Sequence, residues 1–284
     1  MAGKSALVLE GGALRSLFTS GVLDVFIEQD VHFDCVIGTS AGSLCGVSYI
    51  TRQKGRTAGV NIGYCDDKQY ISLRNRFRYD GVFNLDYLFE EPRGRWDVFD
   101  EAAYLHTKTR FLVCATRCES ADAVYFENPR GQELVTAIKA SCSMPVAAKI
   151  IPTEKGPCLD GGIAAAIPFE KALQDGYEKV VVVKTQADTY QKQRDAAFMR
   201  LLSSMLYLRY PALRAALSAR PQRYNAQLQK LKTLEKEGRV FVLAPAKPVQ
   251  VSHTEQDKAK LEALYEEGLQ EGRRRLKALR QYLG

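Results

Sequence analysis

Along the first half of the chain, apolar runs of strand length alternate with longer stretches whose apolar positions recur at helical spacing. ALVLEGG reads as a buried strand ending in a glycine turn, and SLFTSGVLDVFIEQD then sets Leu17, Val22, Leu23, Val25 and Phe26 on one helical stripe. FDCVIGTS is a second short apolar run, and AGSLCGVSYITR after it reads as a helix opened by small residues. Two strand, glycine, helix units back to back predict a parallel sheet joined by crossover helices. From about 51 to 108 the periodicity breaks among Arg, Tyr, Asp and Gly, which predicts short helices and loops capping that sheet.

Further along, RFLVCATRCES and AVYFENP flank a polar turn at Ala121 and Asp122 and read as a hairpin. GQELVTAIKASCSM is helical until Pro145, IIPTEKGPCLDGG returns as loop and strand, PFEKALQDG is a short helix, and EKVVVVKTQ is a continuous buried strand. After Gln186 the character turns helical. YNAQLQKLKTLEKEG aligns Leu228, Leu231 and Leu234, RVFVLAP is a late strand, and the last helix, with Thr254 as its expected cap, carries Leu261, Leu264, Leu276, Leu279 and Leu283. The fold class is therefore α/β, a mostly parallel central sheet flanked by helices with a mainly helical C-terminal extension. The expected units are 1–185, catalytic, and 186–284, packed on it.

Composition narrows the classes. With 46% hydrophobic residues in 284, the chain has ample material for a packed core. No run approaches the roughly 18 uncharged apolar residues of a spanning helix, and no leader is expected. The expectation is a cytoplasmic protein that meets a membrane only from its surface. Seven scattered cysteines inside apolar runs read as reduced, partly buried thiols, and no second pair or histidine cluster completes Cys114 and Cys118 as a metal site. No metal or cofactor is expected. The net charge of +7 favours anionic partners, and much of it lies in GRRRLKALR and RYPALRAALSARPQR, which are either solvated helix faces or contacts to anionic membrane lipid. No nucleic acid is expected as a partner.

The chemistry centres on CVIGTSAGSLCG, where Ser40 stands between Gly38 and Gly42 at a strand-to-helix junction. So tight a turn needs small neighbours, and the following helix aims its free N–H groups at the hydroxyl. A serine hydroxyl needs an adjacent base. Histidine occurs only at positions 32, 106 and 253. The ordinary α/β-hydrolase order of serine, acid, histidine would require His253, but that residue sits in a stretch that reads as a surface loop, and Ser40 follows only one earlier strand. His32 and His106 read as surface or boundary residues too. A carboxylate is the other option: CLDGG places Asp160 directly before Gly161 and Gly162 in a loop at a strand end, a pattern that by itself is also an ordinary turn. Gly42 and Gly46, four apart, read as allowing close helix packing.

Three blocks in order resemble the bacterial patatin-like phospholipase family: EGGALRSLFTSGVLDVF, GTSAGS and DGG, with ASCSMPVAA before the third. The resemblance covers about 1 to 185 and implies a three-layer sandwich and a Ser-Asp pair that works without histidine. It implies Ser40 as nucleophile, Asp160 as base, and Gly11, Gly12, Ala13 and Arg15 around the oxyanion. The chain departs from the family pattern at Ala13, where a third glycine is usual, and at Ser16, where another glycine follows the basic residue. Alanine still presents a backbone N–H, whereas a serine side chain either crowds the turn or places a hydroxyl near the site.

The expected function is hydrolysis of lipid esters, of phospholipase A or lysophospholipase type, through an acyl-enzyme on Ser40. A general carboxylesterase or acyltransferase using the same pair is one alternative. A basic membrane-binding module with little or no catalysis is the other.

Overall fold

In a computed structural model, which describes residues 3–86, 99–193 and 196–284, eight strands form one sheet. They are β1 (Ser5–Leu9), β2 (Cys35–Thr39), β3 (Arg110–Arg117), β4 (Ala123–Glu127), β5 (Ile151–Thr153), β6 (Gly156–Asp160), β7 (Lys179–Val183) and β8 (Val240–Leu243). The α-helices are α1 (Leu17–Glu28), α2 (Ala41–Ile50), α3 (Arg56–Gly63), α4 (Asn75–Arg78), α5 (Glu101–His106), α6 (Gln132–Cys142), α7 (Phe169–Gln174), α8 (Ala197–Leu206), α9 (Pro211–Lys236) and α10 (Lys258–Leu283).

The spatial order is β5, β6, β3, β2, β1, β7, β8, with β4 paired to β3. The pairs β3/β2, β2/β1, β1/β7 and β7/β8 are parallel, and β4, β5 and β6 enter antiparallel. The strand sequences explain the burial on both faces. Leu7 and Leu9 point into the core beneath α1, α2, α6 and α10, while Ala6 and Val8 point into a second core with Phe169 of α7 and with Tyr224, Leu228, Leu231 and Leu234 of α9. This is the expected mostly parallel sheet between helical layers. The expected hairpin is β3/β4, and the short helices expected between 51 and 108 are α3, α4 and α5, apart from the stretch 87–98 outside the described residues.

The stretch after residue 186 adds more than helices. β8 extends the central sheet beside β7, and α10 lies along α1. That crossing is possible because two glycines face backbone: a Cβ on Gly21 would sit 2.2 Å from the Tyr265 carbonyl oxygen, and one on Gly268 would sit 2.1 Å from that of Phe18. Two local expectations change. α9 starts at Pro211, a first-turn position that needs no N–H, and continues through Pro221, which is buried. The cap of α10 is Asp257, whose carboxylate accepts from the N–H groups of Ala259 and Lys260, rather than Thr254.

Candidate active site

Sheet register brings the two proposed reacting residues together. Thr39 at the end of β2 pairs with Cys114 of β3, and the next β3 residue, Ala115, pairs with Asp160 at the end of β6. Ser40 and Asp160 thus stand one strand apart, each on the turn leaving its strand. The Ser40 hydroxyl donates to Asp160 Oδ2 at 2.7 Å. Ser40 has φ 53 and ψ −129, a left-handed conformation that a serine adopts only when its surroundings impose it. They do. A Cβ on Gly38 would lie 2.5 Å from Ser43 Cα, and one on Gly42 would lie 2.5 Å from the Leu9 carbonyl oxygen, so neither position admits a side chain. The Ser40 N–H donates to Ser141 Oγ at 2.8 Å, Ser141 Oγ donates to the Cys114 carbonyl, and the Ser43 hydroxyl donates to the Ser40 carbonyl at 2.6 Å.

Asp160 is buried, and its second oxygen, Oδ1, accepts from the Gly162 N–H at 2.7 Å. Burial pushes its carboxyl above the ordinary carboxylate range, while the charge of Arg220, the Ser40 hydroxyl and the Gly162 N–H pull the other way without cancelling the rise. Arg220, from α9, also donates through Nε to the Gly162 carbonyl at 3.0 Å.

The glycine-rich block forms a turn above Ser40. The Gly11 N–H donates to the Ala166 carbonyl at 3.3 Å, so this candidate oxyanion donor is turned to another partner. The N–H groups of Gly12 and Ala13 carry no hydrogen bond among the described residues. Ala13 takes φ 48 where the family pattern has glycine. Glu10, buried, fixes the start of this turn by accepting from the Thr185 N–H at 2.6 Å and from the Tyr224 hydroxyl at 2.5 Å. Ser16 is buried beside Ser40 with its hydroxyl unpartnered.

Arg15 donates to His253 Nε2 at 3.0 Å across 238 residues of sequence. Protein packed around the His253 ring, and then the charges of Arg15, Lys192 and Arg220, push its pKa down to about 4, although the residue keeps solvent exposure as expected of a surface loop. His32 is exposed against Asp30 and His106 is exposed against the Ala102 carbonyl, so neither touches Ser40. All seven cysteines are free thiols; burial pushes Cys45 up to about 11 and Cys114 up to about 12. The cavity over Ser40 is lined by Leu14, Leu44, Tyr70, Phe83, Leu85 and Met144 among others and holds about 30 Å³. That is room for a water molecule and far below the several hundred Å³ of a typical ligand pocket.

Residues 7–173 match the patatin-like phospholipase family. The chain belongs to that family. Residues 210–284 match a second family, a domain of unknown function designated DUF6363. Among curated proteins, the uncharacterized protein YjjU of Escherichia coli (strain K12) is 33% identical over 187 residues, 64% of this chain and 52% of that protein. The chain therefore spans about half the length of that relative. A probable lipid hydrolase, 463L, of Invertebrate iridescent virus 6 is 23% identical over 222 residues, 66% of this chain and 71% of that protein. Among solved structures, VipD from Legionella pneumophila superposes with a TM-score of 0.50 at 10% identity, covering 98% of this chain and 67% of that one, a likeness of fold.

Residues that sequence reasoning did not single out are Ser141, Glu10, Arg220 and Tyr224. Glu10 left a signal, an acid wedged between an apolar strand and two glycines. Arg220 and Tyr224 left none, because only the fold carries α9 to the site.

Proposed function

We propose that this patatin-like phospholipase hydrolyses lipid esters through an acyl-enzyme on Ser40, with Asp160 as the base. The observation that carries the reading is the 2.7 Å hydrogen bond from a serine held in a strained turn to a buried carboxylate of raised pKa. As Ser40 Oγ bonds to the ester carbonyl carbon, its proton passes to Asp160. The tetrahedral oxyanion is held by the Gly12 and Ala13 N–H groups, with Arg15 nearby as the positive charge. Collapse expels the alcohol, which takes the proton from Asp160. Water then repeats the sequence and releases the acid. A free aspartate is a weak base, and desolvation is what raises Asp160 toward usefulness.

The apolar lining of the cavity over Ser40 favours an acyl chain as the bound group. At about 30 Å³ its walls, Phe83, Leu85 and Met144 among them, must part for the chain to enter. We propose further that the two family-matched stretches work as one unit, since Arg220 and Tyr224 of the second reach the turns of the first.

The test is covalent labelling by a fluorophosphonate together with turnover of short and long esters. Labelling should vanish in Ser40→Ala. Turnover in Asp160→Asn should fall by at least roughly a thousandfold, the scale of losing a general base. His253→Ala should keep labelling. Asp160→Asn turning over at the unmutated rate, or loss of labelling in His253→Ala with the fold intact, would refute the pair.

A further inference from the structure

The geometry points to a membrane-docking face built from α8 and α4, an inference that rests on the lipid-hydrolase reading. α8 contains no buried residue, yet Phe198, Leu201 and Met205, spaced three and four apart on one helical stripe, and Leu208 in the turn just after the helix are 61 to 70% exposed. Near α4, Leu73 and Phe77 are 79 and 81% exposed. Isolated surface leucines are ordinary, but six large apolar side chains on two elements make a patch that water alone does not explain.

The two elements meet at one residue. The Val146 N–H donates to the hydroxyl of Tyr207, at the end of α8, and Arg76 of α4 donates through Nε to the Val146 carbonyl. Val146 lies two residues beyond Met144, which lines the cavity over Ser40. The apolar stripe is therefore anchored at the wall of the active site.

Charge selects the occupant. Residues 196–210 contain Arg200 and Arg209 and no acid; residues 72–79 contain Arg74, Arg76 and Arg78 and no acid. Beside the stripe, between α8 and α9, a cavity of about 540 Å³ is lined by Arg200, Arg214, Ser203, Ser204 and Ser218, with Arg214 Nε buried and unpartnered. Apolar side chains interleaved with arginine fit the boundary of a bilayer bearing anionic headgroups. The basic stretch of α10 fits less well: Arg274 is paired with Glu271, Arg273 with Glu28, and Arg275 stacks on Phe241.

Vesicle co-sedimentation tests this with phosphatidylglycerol/phosphatidylcholine mixtures against phosphatidylcholine alone, beside hydrolysis of a short water-soluble ester. The unmutated protein should bind the anionic vesicles, and more weakly in high salt. Leu201→Ser/Met205→Ser/Leu208→Ser should bind at least tenfold more weakly, and Phe77→Ser severalfold, with soluble-ester turnover and fluorophosphonate labelling within twofold of unmutated. Undiminished vesicle binding by the triple variant overturns the docking face. So does a dimer of the unmutated protein that becomes a monomer in the triple variant, which would assign the stripe to a second copy. Vesicle binding without turnover of any ester upholds the face and removes the hydrolase reading; ester turnover without vesicle binding does the reverse.

Discussion

The turn that carries Ser40 and the turn that carries Asp160 meet at one hydrogen bond but differ in how they are held. The first has no slack: Gly38 presses on Ser43 and Gly42 on the Leu9 carbonyl, Ser43 ties the Ser40 carbonyl, and Ser141 of α6 takes its N–H. The second has its own bond from the Gly162 N–H to Asp160, packs Gly161 on the Cys114 carbonyl, and is reached besides by Arg220 of α9, 58 residues downstream of Gly162. A turn packed without slack should fail completely when its packing is violated. A contact added from a remote helix should fail by degrees, in chemistry before stability.

The largest effect breaks the turn packed without slack. In Gly42→Val the added Cβ falls 2.5 Å from the Leu9 carbonyl oxygen, and neither α2 nor β1 can retreat without opening the core. We expect a loss of roughly 3 kcal/mol or more, seen as insoluble expression or a collapsed melting temperature, with no fluorophosphonate labelling of what remains folded.

Arg220→Met tests the remote contact. Melting temperature should change little, because Arg220 is only partly buried, whereas kcat should fall about tenfold, the scale of one charge-assisted hydrogen bond. Its pH signature is more telling. In the proposed mechanism the base must be ionised to work, so kcat/KM should fall as pH drops through the raised pKa of Asp160. Arg220 favours the ionised form, so its removal should move that acid limb to higher pH. An unmoved limb would mean that Arg220 acts only on loop geometry.

Asp160→Asn separates the same residue's chemistry from its effect on stability. Its folded pKa lies above the unfolded value near 3.8, so the unfolded state gives up its proton first. The folded state is therefore favoured most below pH 3.8, and loses that advantage as pH rises through the folded pKa. Asparagine abolishes the titration, and its amide can still accept from Gly162 and donate to Ser40. The variant should be more stable at pH 7, seen as a raised melting temperature, while losing turnover. The gain should shrink as the pH is lowered.

The same contrast governs what the sequence made legible. The parallel strands, α1, α2 and the hairpin follow from apolar spacing, and Ser40 and Asp160 were singled out because their glycine-flanked stretches stand in the same order as the blocks of a known family. Local constraint writes itself locally. Arg220 and Tyr224 belong to a helix whose sequence advertises only leucines and solvated charge, and their role exists only once α9 lies across the sheet. The cap of α10 was misplaced for a smaller reason: Thr254 and Asp257 are both competent caps, and only the chain direction in the loop chooses between them. The turned-away N–H of Gly11 could not be read at all, since it depends on a partner, Ala166, that follows Asp160.

The turn bearing Ala13 lies between the two extremes, with Glu10 held remotely by Tyr224 and Ala13 strained on its own account. At φ 48 an alanine pays about 1 to 2 kcal/mol for its Cβ, which glycine would relieve at a loss of about 0.4 to 1 kcal/mol through its freer unfolded chain. Ala13→Gly should therefore be stabilised by about 0.5 kcal/mol, within a degree or two of the unmutated melting temperature, and its ester turnover should stay within about threefold, since the N–H at position 13 remains. Ala13→Val adds a branched side chain at the same φ and should lose both stability and turnover. A glycine variant less stable than alanine would show that the left-handed backbone at 13 is relaxed, and that Tyr224 and Thr185, rather than local strain, set the shape of the turn.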